Sequence, residues 1–346
     1  MLKIGILGSG FIADFHMQAY KQLCDVRVVS VASRTRAESF ARSWGISGWF
    51  GGDEFMDGLC GDRELDAVDI CLPNFLHVDA VRACADNHKN VILEKPLGRN
   101  VREAKEIADA ATRSGVLHGY AENQVYLPQI KRAERLIRGG AMGKVLHVRA
   151  REAHFGPHSD WFWEKELSGG GSLLDMGCHS LEVTRKLVGS EPRQAFGAGS
   201  TQLHRDKTDA EDESVSLIKY SGGEIGQAEN SWSAHGGLDM RYEIFGSEGA
   251  LFLDVTRETG LKLFTVADES KVGYVVEKSE AAKGWLYPIW REALLYGYVD
   301  ELKDFTDSFA KGELPSENFN DGLLVNQMID ACYRSFSSGK WEPIER

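Results

Sequence analysis

The chain has 346 residues, 42% of them hydrophobic and 10% aromatic, which is long for one domain and apolar enough for two full cores. Its formal net charge of −12 excludes the basic face that nucleic-acid binding requires. No apolar run approaches the roughly 20 residues that span a bilayer, Met1 to Gly5 opens a strand rather than a signal peptide, and six scattered cysteines without a CxxC pair read as reduced thiols in the cytoplasm.

Residues 3–7 form an apolar strand. Gly8-Ser9-Gly10-Phe11-Ile12-Ala13 follows, then a helical run to about residue 22. This is GxGxxA set between a strand and a helix. Gly8 allows a tight turn, Gly10 the close approach of a pyrophosphate, and Ala13 close packing of the helix on the sheet. The helix start, with Phe11 and Ile12, then faces the phosphates. A plain strand-to-helix turn is the alternative. A second strand, 26–32, ends in Ser33-Arg34-Thr35-Arg36, where an NAD-preferring site often carries an acid for the ribose diol. No acid stands there. Ser33 and Arg34 suit a 2′-phosphate, or Arg34 the adenine face; otherwise Arg34 and Arg36 are a solvated helix start. The reading leans slightly to NADP and leaves NAD open.

The strand at 67–72 leads into Leu72, Pro73 and Asn74, expected beside the nicotinamide. His77 is placed near the cofactor, more as a structural residue at a helix start than as a chemical group. Residues 91–93 are the end of a buried strand that runs straight into Glu94-Lys95-Pro96. A lysine at the C-terminal end of an α/β strand lies where ligands bind. Lys95 is therefore expected to face the reacting carbon; the alternative is a lysine that merely starts a loop. Residues 100–113 are amphipathic, with Val101, Ala104, Ile107, Ala108 and Ala111 on one face, and 116–120 is a further strand. Strands and helices alternate throughout, which predicts a doubly wound parallel sheet.

The texture changes after Glu122, so residues 1–122 are expected to form a dinucleotide-binding Rossmann domain. Residues 123–346 would form a substrate-binding and oligomerisation α/β domain, its last helices packing back on the first. Asn123, beside the cofactor, and Gln124, beside the substrate, are a polar pair just past a strand end. Seven β-like runs follow, at 144–152, 193–201, 213–220, 224–233, 241–246, 250–254 and 261–265. Hairpin glycines separate several of them, which predicts a large, mainly antiparallel open sheet. Such a sheet wants helices on one face and a second subunit on the other. Two helices, 289–311 and 321–337, close the chain.

Between strands lies Gly169-Gly170-Gly171-Ser172-Leu173-Leu174-Asp175-Met176-Gly177-Cys178-His179. If Asp175 begins a helix, His179 shares its face one turn on. A carboxylate beside an imidazole fixes its tautomer and stabilises its cation, as proton removal from an alcohol requires. An N-capping aspartate beside a satisfied histidine is the alternative. Upstream, His154-Phe155-Gly156-Pro157-His158-Ser159-Asp160-Trp161-Phe162-Trp163 offers flat indoles and donors that suit a sugar, with His158, Trp161 and Trp163 as contacts, or else a packed loop. Residues 285–290 are also expected to shape the pocket. His154, His158, Cys178 and His179 match no standard zinc spacing, and no metal is expected.

Together these motifs resemble the Gfo/Idh/MocA family of oxidoreductases over nearly the whole length. The resemblance rests on Gly8, Gly10 and Ala13; Pro73-Asn74 with His77; Glu94-Lys95-Pro96; Asn123-Gln124; the run from Gly169 to His179; and the ending from Asn320-Asp321-Gly322-Leu323 to Gly339-Lys340. It implies NAD(P)-linked oxidation or reduction of sugars, cyclitols and related polyols, in a homodimer or homotetramer joined through the C-terminal sheet. It implies Lys95, Asp175 and His179 as the catalytic trio and a cis Lys95–Pro96 bond. His179 would be the general base oriented by Asp175, and Lys95 would polarise the reacting oxygen or itself exchange the proton. An oxidised nicotinamide and burial would lower the pKa of Lys95. Glu182, where an aspartate is common, and Val125, where an arginine is common, depart from the pattern. A glycosidase that uses bound NAD(P) as a transient oxidant is the second reading, distinguished by the absence of net NAD(P)H. A non-catalytic dinucleotide sensor is the third, and the intact trio argues against it.

Overall fold

The structure, a computed structural model, describes residues 1–258, 260–266, 284–289 and 291–345. The chain divides into two compact units, Met1–Leu127 with Tyr296–Asn326, and Pro128–Leu295 with Gln327–Arg346. The expected boundary at Glu122 thus lies inside the first unit, which also takes in a late segment.

In the first unit the order is β1 (Leu2–Leu7), α1 (Phe11–Tyr20), β2 (Val26–Ala32), α2 (Ala37–Trp44), β3 (Gly48–Phe50), α3 (Phe55–Cys60), β4 (Ala67–Ile70), α4 (His77–Asp86), β5 (Asn90–Glu94), α5 (Val101–Ser114) and β6 (His118–Ala121). The six strands are all parallel, ordered β3-β2-β1-β4-β5-β6. The order reverses between β1 and β4, which is where a doubly wound sheet opens its ligand crevice. β4 is buried along its whole length, as expected of a strand covered on both faces. α5 shows why a helix forms there. The Asn100 side chain accepts from Glu103 N at 3.0 Å, Gly115 closes the other end with φ +71°, and Ala104, Ile107, Ala108 and Ala111 pack into the core.

The second unit begins with α6 (Pro128–Arg138), β7 (Val145–Ala153), α7 (Lys165–Ser168), α8 (Ser172–Asp175) and α9 (Gly177–Val188). It continues with β8 (Pro192–Ser200), β9 (Glu213–Tyr220), β10 (Ile225–Ser231), β11 (Asp239–Gly246), β12 (Ala250–Asp254), β13 (Leu263–Thr265), β14 (Gly284–Leu286) and α10 (Glu292–Leu295). α11 (Tyr298–Lys311) lies in the first unit, α12 (Phe319–Ser338) contributes to both, and β15 (Glu342–Pro343) ends the chain. The large sheet runs β12-β11-β7-β10-β9-β8-β15, antiparallel except for the β7–β10 pair.

Two expectations need correction, and one strand was not foreseen. The strand expected at 261–265 is not part of the large sheet; β13 pairs with β14 in a separate two-stranded sheet, and the two-residue β15 takes the seventh place. The helix expected over 289–311 is interrupted: α10 ends at Leu295 and Gly297, at φ +87°, precedes α11. β3, only three residues long, lacks an apolar run of its own and escapes notice in the sequence.

One face of the large sheet is covered within its own unit. Asn230 Nδ2 on β10 donates to Ser180 Oγ on α9 at 2.8 Å, and Gly197 N on β8 donates to Ser335 Oγ on α12 at 3.0 Å. On the opposite face the register sets Ala198, Val215 and Glu229 across from one another on β8, β9 and β10, with Phe196 across from Leu217 and Ile225 further along β10. Val215, Ile225 and Phe252 are exposed there. Among the described residues, no helix is long and apolar enough to cross a membrane.

Candidate active site

In the first unit the turn between β1 and α1 has the shape that the sequence suggests. Gly8 sits at φ +122°, and a Cβ there would lie 2.2 Å from the Cys71 carbonyl oxygen, so no other residue fits. A Cβ on Gly10 would meet nothing within 4 Å. Gly10 is also the N-cap of the ten-residue α1 and gives it no side-chain cap. Open space beside an uncapped helix start is what a dinucleotide pyrophosphate needs, so these residues fit that cofactor. Ser9 Oγ donates to Ser33 Oγ at 2.8 Å, and Ser33 Oγ also accepts from Arg36 N at 3.1 Å, which ties the β2 end to the glycine turn. Arg34 is exposed, with its Nε 3.7 Å from Asp53 Oδ1.

After β4, Leu72, Pro73 and the buried Asn74 lead into α4. His77 is fully buried, with Nε2 3.0 Å from the Leu72 carbonyl and Nδ1 3.1 Å from the Pro96 carbonyl. It ties the β4 end to the turn after β5, and burial holds its imidazole below the ordinary histidine range. The Lys95–Pro96 bond is cis. Lys95 N donates to Glu94 Oε2 at 3.1 Å, and Glu94 Oε1 lies 3.0 Å from His16 Nε2. Asn123 Nδ2 donates to the Tyr296 carbonyl at 2.7 Å, so this side chain is engaged with its own unit; Gln124 beside it is buried.

In the second unit Asp175 does not begin a helix. It ends α8, and His179 lies in the first turn of α9 after Met176, whose φ of −106° and ψ of −29° keep the backbone right-handed. Both residues are buried. Asp175 Oδ2 accepts from Trp232 Nε1 at 3.0 Å, and Cys178 Sγ donates to the Asp175 carbonyl at 3.2 Å. The glycine run upstream is explained by crowding: a Cβ on Gly171 would lie 1.9 Å from the Glu211 carbonyl oxygen. Ser172 N donates to that oxygen at 2.8 Å, and Leu173 N donates to Glu211 Oε1 at 3.0 Å, so Glu211 seats the start of α8.

The aromatic loop packs around the same aspartate. Phe162, Met176 and Trp232 form a buried cluster, with Trp161 and Trp163 against it. Trp163 stands 5.6 Å from the Trp232 ring and 4.8 Å from His204, with Lys207 Nζ 5.0 Å above it. Its faces therefore serve packing first. His158 is exposed and lies edge-on to His154, 5.0 Å between rings. Glu182, the departure from the usual aspartate, is fully buried and accepts from Arg185 Nε at 2.7 Å. Trp290, one end of the segment expected to shape the pocket, lies outside the described residues. Two features escaped the sequence reading. One is Trp232, whose place just past β10 looks like ordinary packing. The other is the His16–Glu94 contact, whose one local signal is Asp69, a charge inside the otherwise apolar β4.

Two family profiles match this chain: the oxidoreductase family with an NAD-binding Rossmann fold over residues 2–121, and the GFO/IDH/MocA C-terminal domain over residues 130–252. The chain belongs to the Gfo/Idh/MocA family. As a member it is an NAD(P)-dependent oxidoreductase. It is 28% identical to a levoglucosan dehydrogenase of Pseudarthrobacter phenanthrenivorans, over 98% of this chain and 97% of that protein. It is 27% identical to a myo-inositol 2-dehydrogenase of Thermotoga maritima, over 99% of both. The crystal structure of GenD2 from gentamicin A biosynthesis, in complex with NAD, superposes with a TM-score of 0.91 at 28% identity, covering 100% of this chain and 97% of that one.

Proposed function

We propose that this oxidoreductase acts on a secondary hydroxyl of a sugar, a cyclitol or a related polyol. In the oxidation direction the carbon loses a hydride, the oxygen loses its proton, and a C=O bond forms. Bound NAD(P) supplies the hydride acceptor. Gly8, Gly10, Phe11, Ile12, Ser33, Arg34, Leu72, Pro73 and Asn74 would hold it. Lys95 binds and polarises the reacting oxygen, and His179 takes the hydroxyl proton, with Asp175 stabilising the imidazolium. Gln124, His158 and Trp161 contact the polyol. The observation that carries this reading is the buried Asp175, fixed by a tryptophan N–H one turn before a buried histidine. A carboxyl group held in that way is oriented before the imidazole becomes positive.

The exposed apolar residues Val215, Ile225 and Phe252 on the open sheet face support association of two or more copies through that face. The reading of the cofactor leans to NADP, on Ser33 and Arg34.

The test is a panel of levoglucosan, myo-inositol, scyllo-inositol and D-xylose, each with NAD and with NADP, followed by the absorbance of the reduced nicotinamide. Stoichiometric NAD(P)H with at least one polyol is expected. Cleavage of a glycoside without accumulation of NAD(P)H would overturn the dehydrogenase reading.

A further inference from the structure

Beneath the β5 end lies a buried polar chain centred on His16. His16 on α1 is 0% exposed. Its Nδ1 lies 2.8 Å from Asp69 Oδ2 on β4, and its Nε2 3.0 Å from Glu94 Oε1 on β5. The other Glu94 oxygen, Oε2, accepts the backbone N–H of Lys95 at 3.1 Å. Tyr20 OH donates to Asp69 Oδ2 at 2.9 Å, and Cys71 Sγ lies 3.6 Å from His16 Nδ1. From α11, the Tyr298 ring stands 5.7 Å from the His16 ring. Glu301, also on α11, faces the same cluster, fully buried with neither carboxyl oxygen hydrogen-bonded.

We infer that His16 is a positioning residue for the reaction: its ring, anchored to Asp69 through one nitrogen and donating to Glu94 through the other, locks the Glu94 carboxylate against the Lys95 amide and so sets the direction in which Lys95 leaves the sheet. This deepens the function proposed above and rests on Lys95 having a role there. The reason is hydrogen-bond accounting. Two carboxylates can both be satisfied by one imidazole only if it carries an N–H on each nitrogen, which is the cation. Burial opposes that cation, but Asp69 and Cys71 outweigh it and hold the imidazole well above the ordinary histidine range. Burial, opposed by His16 but reinforced by Glu94, Glu122 and Asp69, pushes the Glu301 carboxyl well above the ordinary carboxylate range. The ring then meets one carboxyl group from each nitrogen, Asp69 at 2.8 Å and Glu94 at 3.0 Å. A side chain fixed at both ends in this way cannot swing, and a catalytic group is only as well aimed as the residues that support it. His16, Asp69 and Cys71 lie close enough together to suggest a metal site. However, both ring nitrogens already face carboxylate oxygens, so the ligand atoms are committed to one another.

The test compares the full-length wild type with His16→Gln by single-residue amide hydrogen exchange. Lys95 N–H should exchange at least about tenfold faster in the variant, as expected for loss of about 1.4 kcal/mol of local protection, while Ile92 and Leu93 on β5 stay within threefold. With a polyol from the panel, kcat should fall and the Kd for NADH should hold within threefold. An unchanged Lys95 amide overturns the inference, as does equal acceleration along β5, or an accelerated Lys95 amide with unchanged kcat. Should the variant fail to fold, ¹⁵N shifts of His16 in the wild type decide: two ring N–H groups at pH 7.5 agree, and one N–H overturns. Full activity of Lys95→Ala would sink the role of the lysine while leaving the exchange result intact, so the two failures are distinguishable.

Discussion

Trp232 Nε1 donates a 3.0 Å hydrogen bond to Asp175 Oδ2, and both side chains are buried. The indole comes from the segment after β10 and the carboxylate from the end of α8, 57 residues apart in the chain. A buried carboxylate is costly unless its oxygens are satisfied, and an indole N–H can only donate. The pair therefore fixes the orientation of Asp175 before any substrate arrives. Replacing Trp232 with Phe keeps most of the packing against Phe162 and Trp163 and removes the donor. We expect a loss of about 2 kcal/mol in stability, the usual worth of a hydrogen bond to a charged group. Turnover should fall roughly tenfold or more as the imidazolium loses a well-oriented counter-charge, with NADH affinity within threefold. Urea unfolding and steady-state rates on the polyol found in the panel check this, and unchanged kcat would show that Asp175 does not depend on the indole.

Lys95→Ala should abolish turnover while cofactor binding survives. The lysine follows a strand anchored by β4 and β6, and its backbone N–H donates to Glu94 Oε2. Removal of the side chain thus leaves the sheet intact. A drop in kcat of at least about 100-fold is expected from loss of a group that stabilises charge on the reacting oxygen. NADH titration by fluorescence should give a Kd within threefold of wild type. A variant with wild-type kcat refutes the role assigned to Lys95.

How far this site was legible follows from where its parts lie in the chain. Lys95 stands out because an apolar strand buried on both faces runs directly into a charged pair, and that pattern is local. The glycine turn and the Asp175–His179 spacing are local as well. Trp232 with Asp175, and His16 with Asp69 and Glu94, are not: they join segments 53 to 78 residues apart, and only the folded chain brings them together. The same holds for the sheets. Five of the six parallel strands of the first unit read directly from their apolar runs, whereas β15 is two residues whose partner β8 lies about 150 positions earlier in the chain. Of the two late helices expected, the one over 289–311 breaks at Tyr296-Gly297 for a tertiary reason: the Tyr296 carbonyl is turned to accept from Asn123 Nδ2.

Arg34→Asp should weaken NADP far more than NAD. Arg34 is exposed at the β2 end, and its contact with Asp53, at 3.7 Å between exposed groups, is too weak to hold it back from a phosphate. Loss of a charge-assisted bond to a 2′-phosphate is worth roughly 1.5–3 kcal/mol, or about 10- to 100-fold in KM for NADP. The KM for NAD should stay within about threefold. Kinetics with both cofactors decide, and equal loss for the two would show that Arg34 does not read the 2′-phosphate.

His118 predicts an acid weakness in the first unit. Its ring stacks on Phe319 at 4.4 Å, and its Nδ1 accepts the Phe319 backbone N–H at 3.2 Å, which requires that nitrogen to be unprotonated. Burial pushes the imidazole down to about 4. An unfolded histidine titrates near 6.5. Between those values the unfolded chain binds a proton that the folded one refuses, so stability present above about pH 6.5 drains away as the pH falls towards 4. The full gap corresponds to about 3 kcal/mol. Gln at this position can still accept the Phe319 N–H but cannot take up a proton. His118→Gln should therefore flatten the fall in unfolding free energy between pH 7 and pH 4.5 relative to wild type, measured by urea titration at both pH values. A variant whose stability declines over that interval as steeply as the wild type would place the acid sensitivity elsewhere.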